Sequence, residues 1–160
     1  MSHAYLSLGS NIGAEANLRS AIAALRERFG EVLVSPVYRT RAVGFDGADF
    51  LNAAAVIASE LDPYQLNSWL HALEDAHGRD RNGPRHGDRT LDIDIVLFDN
   101  RVLEGPGNLR LPRPELRHAF VLKPLADIAP EVVVPEDGRT LAQMWAGHRD
   151  NALPLETVEL

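Results

Sequence analysis

The stretch Arg85-His86-Gly87-Asp88-Arg89-Thr90-Leu91-Asp92-Ile93-Asp94-Ile95-Val96-Leu97-Phe98 changes character halfway along. It begins basic and turn-like, then becomes an apolar run carrying two carboxylates. Such a run over 90–98 predicts a strand. Strand period places residues i and i+2 on one face, so Asp92 and Asp94 point the same way and Leu91, Ile93, Ile95 and Leu97 take the other. Adjacent carboxylates repel and lose hydration, so the pair needs a compensating charge. A hard divalent cation such as Mg²⁺ meets that need, because it prefers oxygen ligands and is commonly held by one or two carboxylates plus substrate phosphates. Arg85 and Arg89 lie just before the pair, where a phosphate would be met.

Outward from this strand, the rest of the chain supplies partners. Residues 4–8 read as a first strand, and Gly9-Ser10-Asn11-Ile12-Gly13 as a turn. Leu18, Ile22, Leu25 and Phe29 recur at helical spacing up to Gly30. Residues 32–40 read as a strand with Pro36 at an edge or bulge, 41–49 as a loop, and 50–58 as a buried strand. Asp62-Pro63 opens a second helix, with Leu66, Leu70, Leu73 and His77 on one face up to Gly78. Beyond Phe98 come a short edge strand at 101–103, a turn at 105–108, short helices within 116–126, a strand at 132–134, a helix capped by Thr140, and a loose tail from Asn151. The order is βαββαβ. It predicts an α+β, ferredoxin-like antiparallel sheet with two helices on one face plus C-terminal extra strands and short helices, in one domain over 1–160. Later segments either cover the other sheet face or leave a groove there.

Composition narrows the function. The chain has 160 residues, a net charge of −7 and no cysteine. That excludes thiolate nucleophiles and cysteine zinc sites, and it argues against a broad nucleic-acid surface. No signal peptide and no run of about 18 apolar residues is visible, so a cytoplasmic location is expected. Against the acidic background, Arg79, Arg81, Arg85 and Arg89 cluster in one short segment, which suits a small anionic ligand. Arginine meets phosphate with a planar fork that stays charged. Metal plus arginines is an inventory for phosphoryl-type transfer. The plainer alternatives stay open: Asp-x-Asp is common, and a basic loop is often only solvated. Asn52 reads equally as a satisfied core amide or a pocket hydrogen-bonder. His71 and Glu74, three apart on α-helical spacing, fit a metal or nucleotide contact, though a solvated helix face is the plainer reading.

Arg-Thr-Leu-Asp-Ile-Asp-Ile-Val-Leu-Phe (89–98) resembles the signature of the 6-hydroxymethyl-7,8-dihydropterin pyrophosphokinase family. Leu8-Gly9-Ser10-Asn11, Tyr38-Arg39-Thr40, Val43-Gly44, Asp49-Phe50-Leu51-Asn52-Ala53, Phe120-Val121-Leu122 and Pro124 to Pro130 agree with it in order. The resemblance implies a ferredoxin-like fold and transfer of the β,γ-pyrophosphoryl group of ATP to the pterin hydroxymethyl oxygen, releasing AMP, in folate synthesis. It implies that Asp92 and Asp94 hold two Mg²⁺ ions and that Arg79 and Arg89 engage the triphosphate. His71, Glu74, Arg81, Arg85 and His118 fall on the ATP side. Thr40, Val43, Gly44, Phe50, Asn52, Asp92 and Phe120 fall at the pterin. Expected partners are ATP and a dihydropterin, with no nucleic acid or membrane and a monomeric chain. The alternatives are a diverged relative acting on a related pterin, and a non-catalytic binding module; the complete Asp92, Asp94, Arg79 and Arg89 set disfavours the module. Three departures stand out. His86-Gly87-Asp88-Arg89 replaces Trp-Gly-Pro-Arg. Pro112-Arg113 replaces Pro-His. The segment 116–120 is one residue short, leaving Arg117 or His118 where the family has arginine.

Overall fold

The computed structural model describes residues 1–41, 47–79 and 88–160. The element order is β1 (Ser2–Ser10), α1 (Ala14–Phe29), β2 (Leu33–Val34), β3 (Val37–Thr40), β4 (Phe50–Ser59), α2 (Pro63–Ala76), β5 (Asp92–Phe98), the hairpin β6 (Leu103–Gly105) and β7 (Leu109–Leu111), a 3-10 turn over Pro114–Arg117, α3 (Ala119–Ile128), α4 (Leu141–Ala146) and β8 (Glu156–Val158). The main sheet runs β5-β1-β4-β3-β8, with β2 also on β4, and every pairing is antiparallel. Its four principal strands stand in the order fourth, first, third, second, as the βαββαβ reading requires.

Local signals explain the helices. The Asp62 carboxylate accepts from the Gln65 backbone N–H and the Asp62 backbone N–H donates to Gln65 Oε1, closing a capping box with Pro63 at the first turn. Thr140 and Gln143 do the same for α4. Leu18, Ile22 and Leu25 of α1 and Leu66 and Leu70 of α2 bury one sheet face together with Ala4, Leu6, Leu8, Ile93 and Ile95. The His77 ring nitrogens lie 2.8 Å from Leu73 O and 2.8 Å from Ser20 Oγ, so this histidine ties α2 to α1.

The opposite face carries a second core. Val121, Leu122 and Leu125 of α3 pack there with Leu116, Ala54, Val96, Leu97, Val134 and Leu141. The Tyr38 hydroxyl donates to Asp127, which also pairs with Lys123 Nζ at 2.5 Å. This contact fastens α3 to β3, and burial pushes the Tyr38 phenol well above its usual range.

Several expectations are corrected. Gly9 and Ser10 are not a turn but the end of β1, paired with Asn52 and Leu51. The tail is not loose: β8 pairs with β3 and its Val158 packs on the first core. Residues 132–134 make only a bridge between Val133 and Thr140. Leu97 does not share a face with Ile93 and Ile95. The β1–β5 register slips between Tyr5 and Leu6, so Val96 is the extra residue of a bulge and the alternation changes phase there. Among the described residues no helix is long and apolar enough to cross a membrane.

Candidate active site

Three neighbouring strands make the floor. Gly9 in β1 pairs with Asn52 in β4 on one side and with Asp92 in β5 on the other. Directly paired residues share a sheet face, so the amide and the carboxylate stand on the same side, two strand spacings or about 10 Å apart. A Cβ at Gly9 would meet Asn52 Oδ1 at 3.1 Å and the Phe50 ring at 3.8 Å. Glycine therefore keeps the space between them clear. Buried Asn52 donates from Nδ2 to Thr40 Oγ1 at 2.7 Å. Phe50, half-buried, begins the same strand.

Acidic groups collect at the β5 edge. Ligand oxygens of Glu74, Asp92 and Asp94 all lie within 4.8 Å of one another. Glu74 is not on a solvated helix face: it is 2% exposed and accepts the Ile93 backbone N–H at 3.0 Å, between the two aspartates. Arg79 donates to Leu91 O at 3.2 Å and lies 3.4 Å from Asp92 Oδ1 and 3.9 Å from Glu74 Oε2. Arg113 Nη2 lies 3.3 Å from Asp94 Oδ1. Burial, and then the neighbouring Asp92 charge, push the Asp94 carboxyl well above its ordinary range, with Arg113 opposing. Among the described residues, the Arg79 and Arg113 guanidiniums face this carboxylate cluster. An all-oxygen, crowded, partly dehydrated donor set of this kind fits a hard divalent cation.

A strap joins the end of β1 to the residues before β5. Ser10 Oγ donates to Thr90 O at 2.6 Å, Asn11 N to Arg89 O at 2.9 Å, and Arg89 N to Asn11 Oδ1 at 2.7 Å. Asn11 Nδ2 donates to Asp88 Oδ1 at 2.8 Å and to Ala48 O at 3.0 Å. The unusual Asp88 carboxylate is thus engaged by an amide. Arg89 Nη1 donates to Asp88 O at 3.0 Å.

Of the remaining candidates, Phe120 sits in the first turn of α3, whose core residues pack against Ala54 of β4. His118 stacks on Phe120 with centroids 5.1 Å apart and planes at 7°. Burial, and then the Arg117 charge, lower its pKa. His71 faces the β6–β7 turn, where a Cβ at Gly107 would meet its Cε1 at 3.1 Å. Val43, Gly44, Arg81 and Arg85 lie outside the described residues. The fold thus gathers Asp92, Asp94, Glu74 and Arg79 into one cluster, and Thr40, Phe50 and Asn52 into another across Gly9. From sequence, Gly9 and Asn11 count only as part of a stretch that agrees with the family and Arg113 only as a departure from it; none of the three is assigned a role. A glycine inside a strand was the available signal for the first; nothing local marked the other two.

The model of the 7,8-dihydro-6-hydroxymethylpterin-pyrophosphokinase family matches residues 5–130. The chain belongs to this family. A Pseudomonas aeruginosa 2-amino-4-hydroxy-6-hydroxymethyldihydropteridine pyrophosphokinase is 39% identical over 160 residues, covering 97% of this chain and 94% of that protein. A Bacillus subtilis protein of the same name is 41% identical over 134 residues, covering 81% of this chain and 79% of its own. In fold, the chain is similar to Plasmodium falciparum HPPK-DHPS, with a TM-score of 0.71 and 14% identity over 91% of this chain. It spans 40% of that longer chain. The family match covers the strand β5 with its aspartates, the floor at Gly9 and helix α3.

Proposed function

We propose that this site performs the reaction of its family: transfer of the pyrophosphoryl group of ATP to the hydroxymethyl oxygen of 6-hydroxymethyl-7,8-dihydropterin, giving AMP and the pterin diphosphate in folate biosynthesis. The observation that carries the reading is the row Asn52, Gly9, Asp92 across three paired strands. It sets an amide and a carboxylate on one face with a glycine between them, which supports reading the first as the acceptor's contact and the second as the donor's.

Each residue then has a physical task. Asp92 and Asp94 hold Mg²⁺, two ions when ATP is bound, and Glu74 fixes their strand through Ile93 N–H. The ions neutralise triphosphate charge when bound. Arg79 and Arg89 orient the triphosphate by charge-assisted hydrogen bonds. Phe50 and Phe120 offer π faces to the flat pterin. Asn52, already oriented by Thr40, donates to and accepts from the ring edge. Little covalent work falls to the protein; positioning and charge carry the step. The chain works as a monomer.

Product analysis with ATP, Mg²⁺ and the hydroxymethyl dihydropterin tests this. AMP and a pterin diphosphate in equal amounts are expected. ADP, or AMP without the pterin product, would overturn it.

A further inference from the structure

We propose that Arg113 is the resident counter-ion of Asp94, and that it selects metal bound to nucleotide over metal alone by having to be displaced. The inference rests on the metal reading of Asp92 and Asp94 given above.

Arg113 is fixed to the strand it serves. Its backbone N–H donates to Val96 O at 2.9 Å, two residues along β5 from Asp94. From there Nη2 reaches Asp94 Oδ1 at 3.3 Å, and Nε stands 3.3 Å from Glu115 Oε2. The side chain is 17% exposed, so this is a partly dehydrated ion pair. Yet it is poorly satisfied. Among the described residues, Nε is buried with no hydrogen-bond partner, and Nη1 reaches only Asn108 O at 3.5 Å. Arg79, by contrast, adds a 3.2 Å bond to Leu91 O to its carboxylate contacts. The two arginines therefore differ in what holds them. Arg79 is anchored to backbone beside Asp92, whereas Arg113 is held at Asp94 mainly by charge, and a stronger charge can replace it.

A guanidinium and a divalent cation compete for the same carboxylate, because each stabilises its anionic form and the two repel. A bare cation would evict Arg113 from the more buried of its two carboxylates and leave it the half-exposed Glu115. A cation arriving with a polyphosphate brings oxygens that accept the released fork in bidentate fashion. The arginine thus penalises the first binding mode and not the second.

The test is Mn²⁺ binding to the full chain, followed by electron paramagnetic resonance, with and without a non-hydrolysable ATP analogue. Arg113→Gln should bind Mn²⁺ alone about tenfold more tightly than the parent, with no such gain in the presence of the analogue. Arg110→Gln, which removes an exposed arginine paired with Glu104, should change neither. Unchanged or weaker Mn²⁺ binding by Arg113→Gln overturns the inference. Should that variant fail to fold, Arg113→Met removes the charge while keeping an apolar stem and should show the same gain; no gain is equally fatal. Asp94→Asn separates the two readings. If it binds Mn²⁺ as the parent does, the metal assignment itself fails; if binding is lost and Arg113→Gln still shows no gain, only the role of Arg113 fails.

Discussion

The β5–β1–β4 ladder has two unlike ends. At one, Ala4 stands between Phe98 and Ile57, and Leu6 between Ile95 and Ala55, all buried. At the other, Gly9 stands between Asp92 and Asn52. The strands pair antiparallel at both ends, with the Val96 bulge in β5 between them, and the side chains they present differ. The apolar end releases free energy as it leaves water. The polar end holds carboxylates that repel one another and a glycine that contributes no packing. The first end stabilises the sheet that keeps the second in place.

Substitutions can separate the two ends. Asp94→Ala should lower Mg²⁺-dependent turnover by roughly 10²–10³-fold or more while the thermal midpoint shifts little, because the relief of carboxylate crowding is offset by the Arg113 guanidinium losing that partner; near-normal turnover would remove Asp94 from the site. Leu6→Ala should do the reverse. Urea unfolding should report a loss of about 2–5 kcal/mol, with KM for both substrates near that of the parent in the folded fraction. Asn52→Ala should weaken pterin affinity by about 1–3 kcal/mol, since it leaves polar partners unpaired, without changing nucleotide affinity; calorimetric titration with each ligand checks both halves. The smallest effect belongs to His118. Its folded pKa lies below the ordinary value near 6.5, so the unfolded chain takes up its proton first. Stability from this group is present above pH 6.5 and is lost as pH falls below it. His118→Gln should flatten the fall in thermal midpoint between pH 7.5 and 5.5, and an unchanged slope would assign that fall to other groups.

The sequence was most legible where local and global signals agreed. The βαββαβ order, the Asp62-Pro63 helix start and the apolar stripes of α1 and α2 each needed only nearby residues. The aspartate pair was visible because charge inside an apolar run is conspicuous. What escaped depended on contacts between distant segments. Glu74 looked solvated because its partner, the Ile93 N–H, is 19 positions away. Gly9 looked like a turn because its neighbours Ser10, Asn11 and Gly13 are turn formers; the pairing with Asn52 and Asp92 overrides that local preference. The tail gave no pattern of its own and is ordered by the β3 edge. Arg113 looked like a mere departure until the fold set it beside Asp94.

The bulge at Val96 lets one strand be read in two phases. Before it, alternation turns Asp92 and Asp94 outward to the floor and Ile93 and Ile95 inward. After it, Leu97 joins Val96 in the second core and Phe98 returns to the first. Without the extra residue, Phe98 would fall in step with the aspartates and Leu97 with Ile95. The bulge works like a frameshift that restores sense: a one-residue joint uncouples the half of the strand under chemical constraint from the half under packing constraint, so each can vary without dragging the other onto the wrong face.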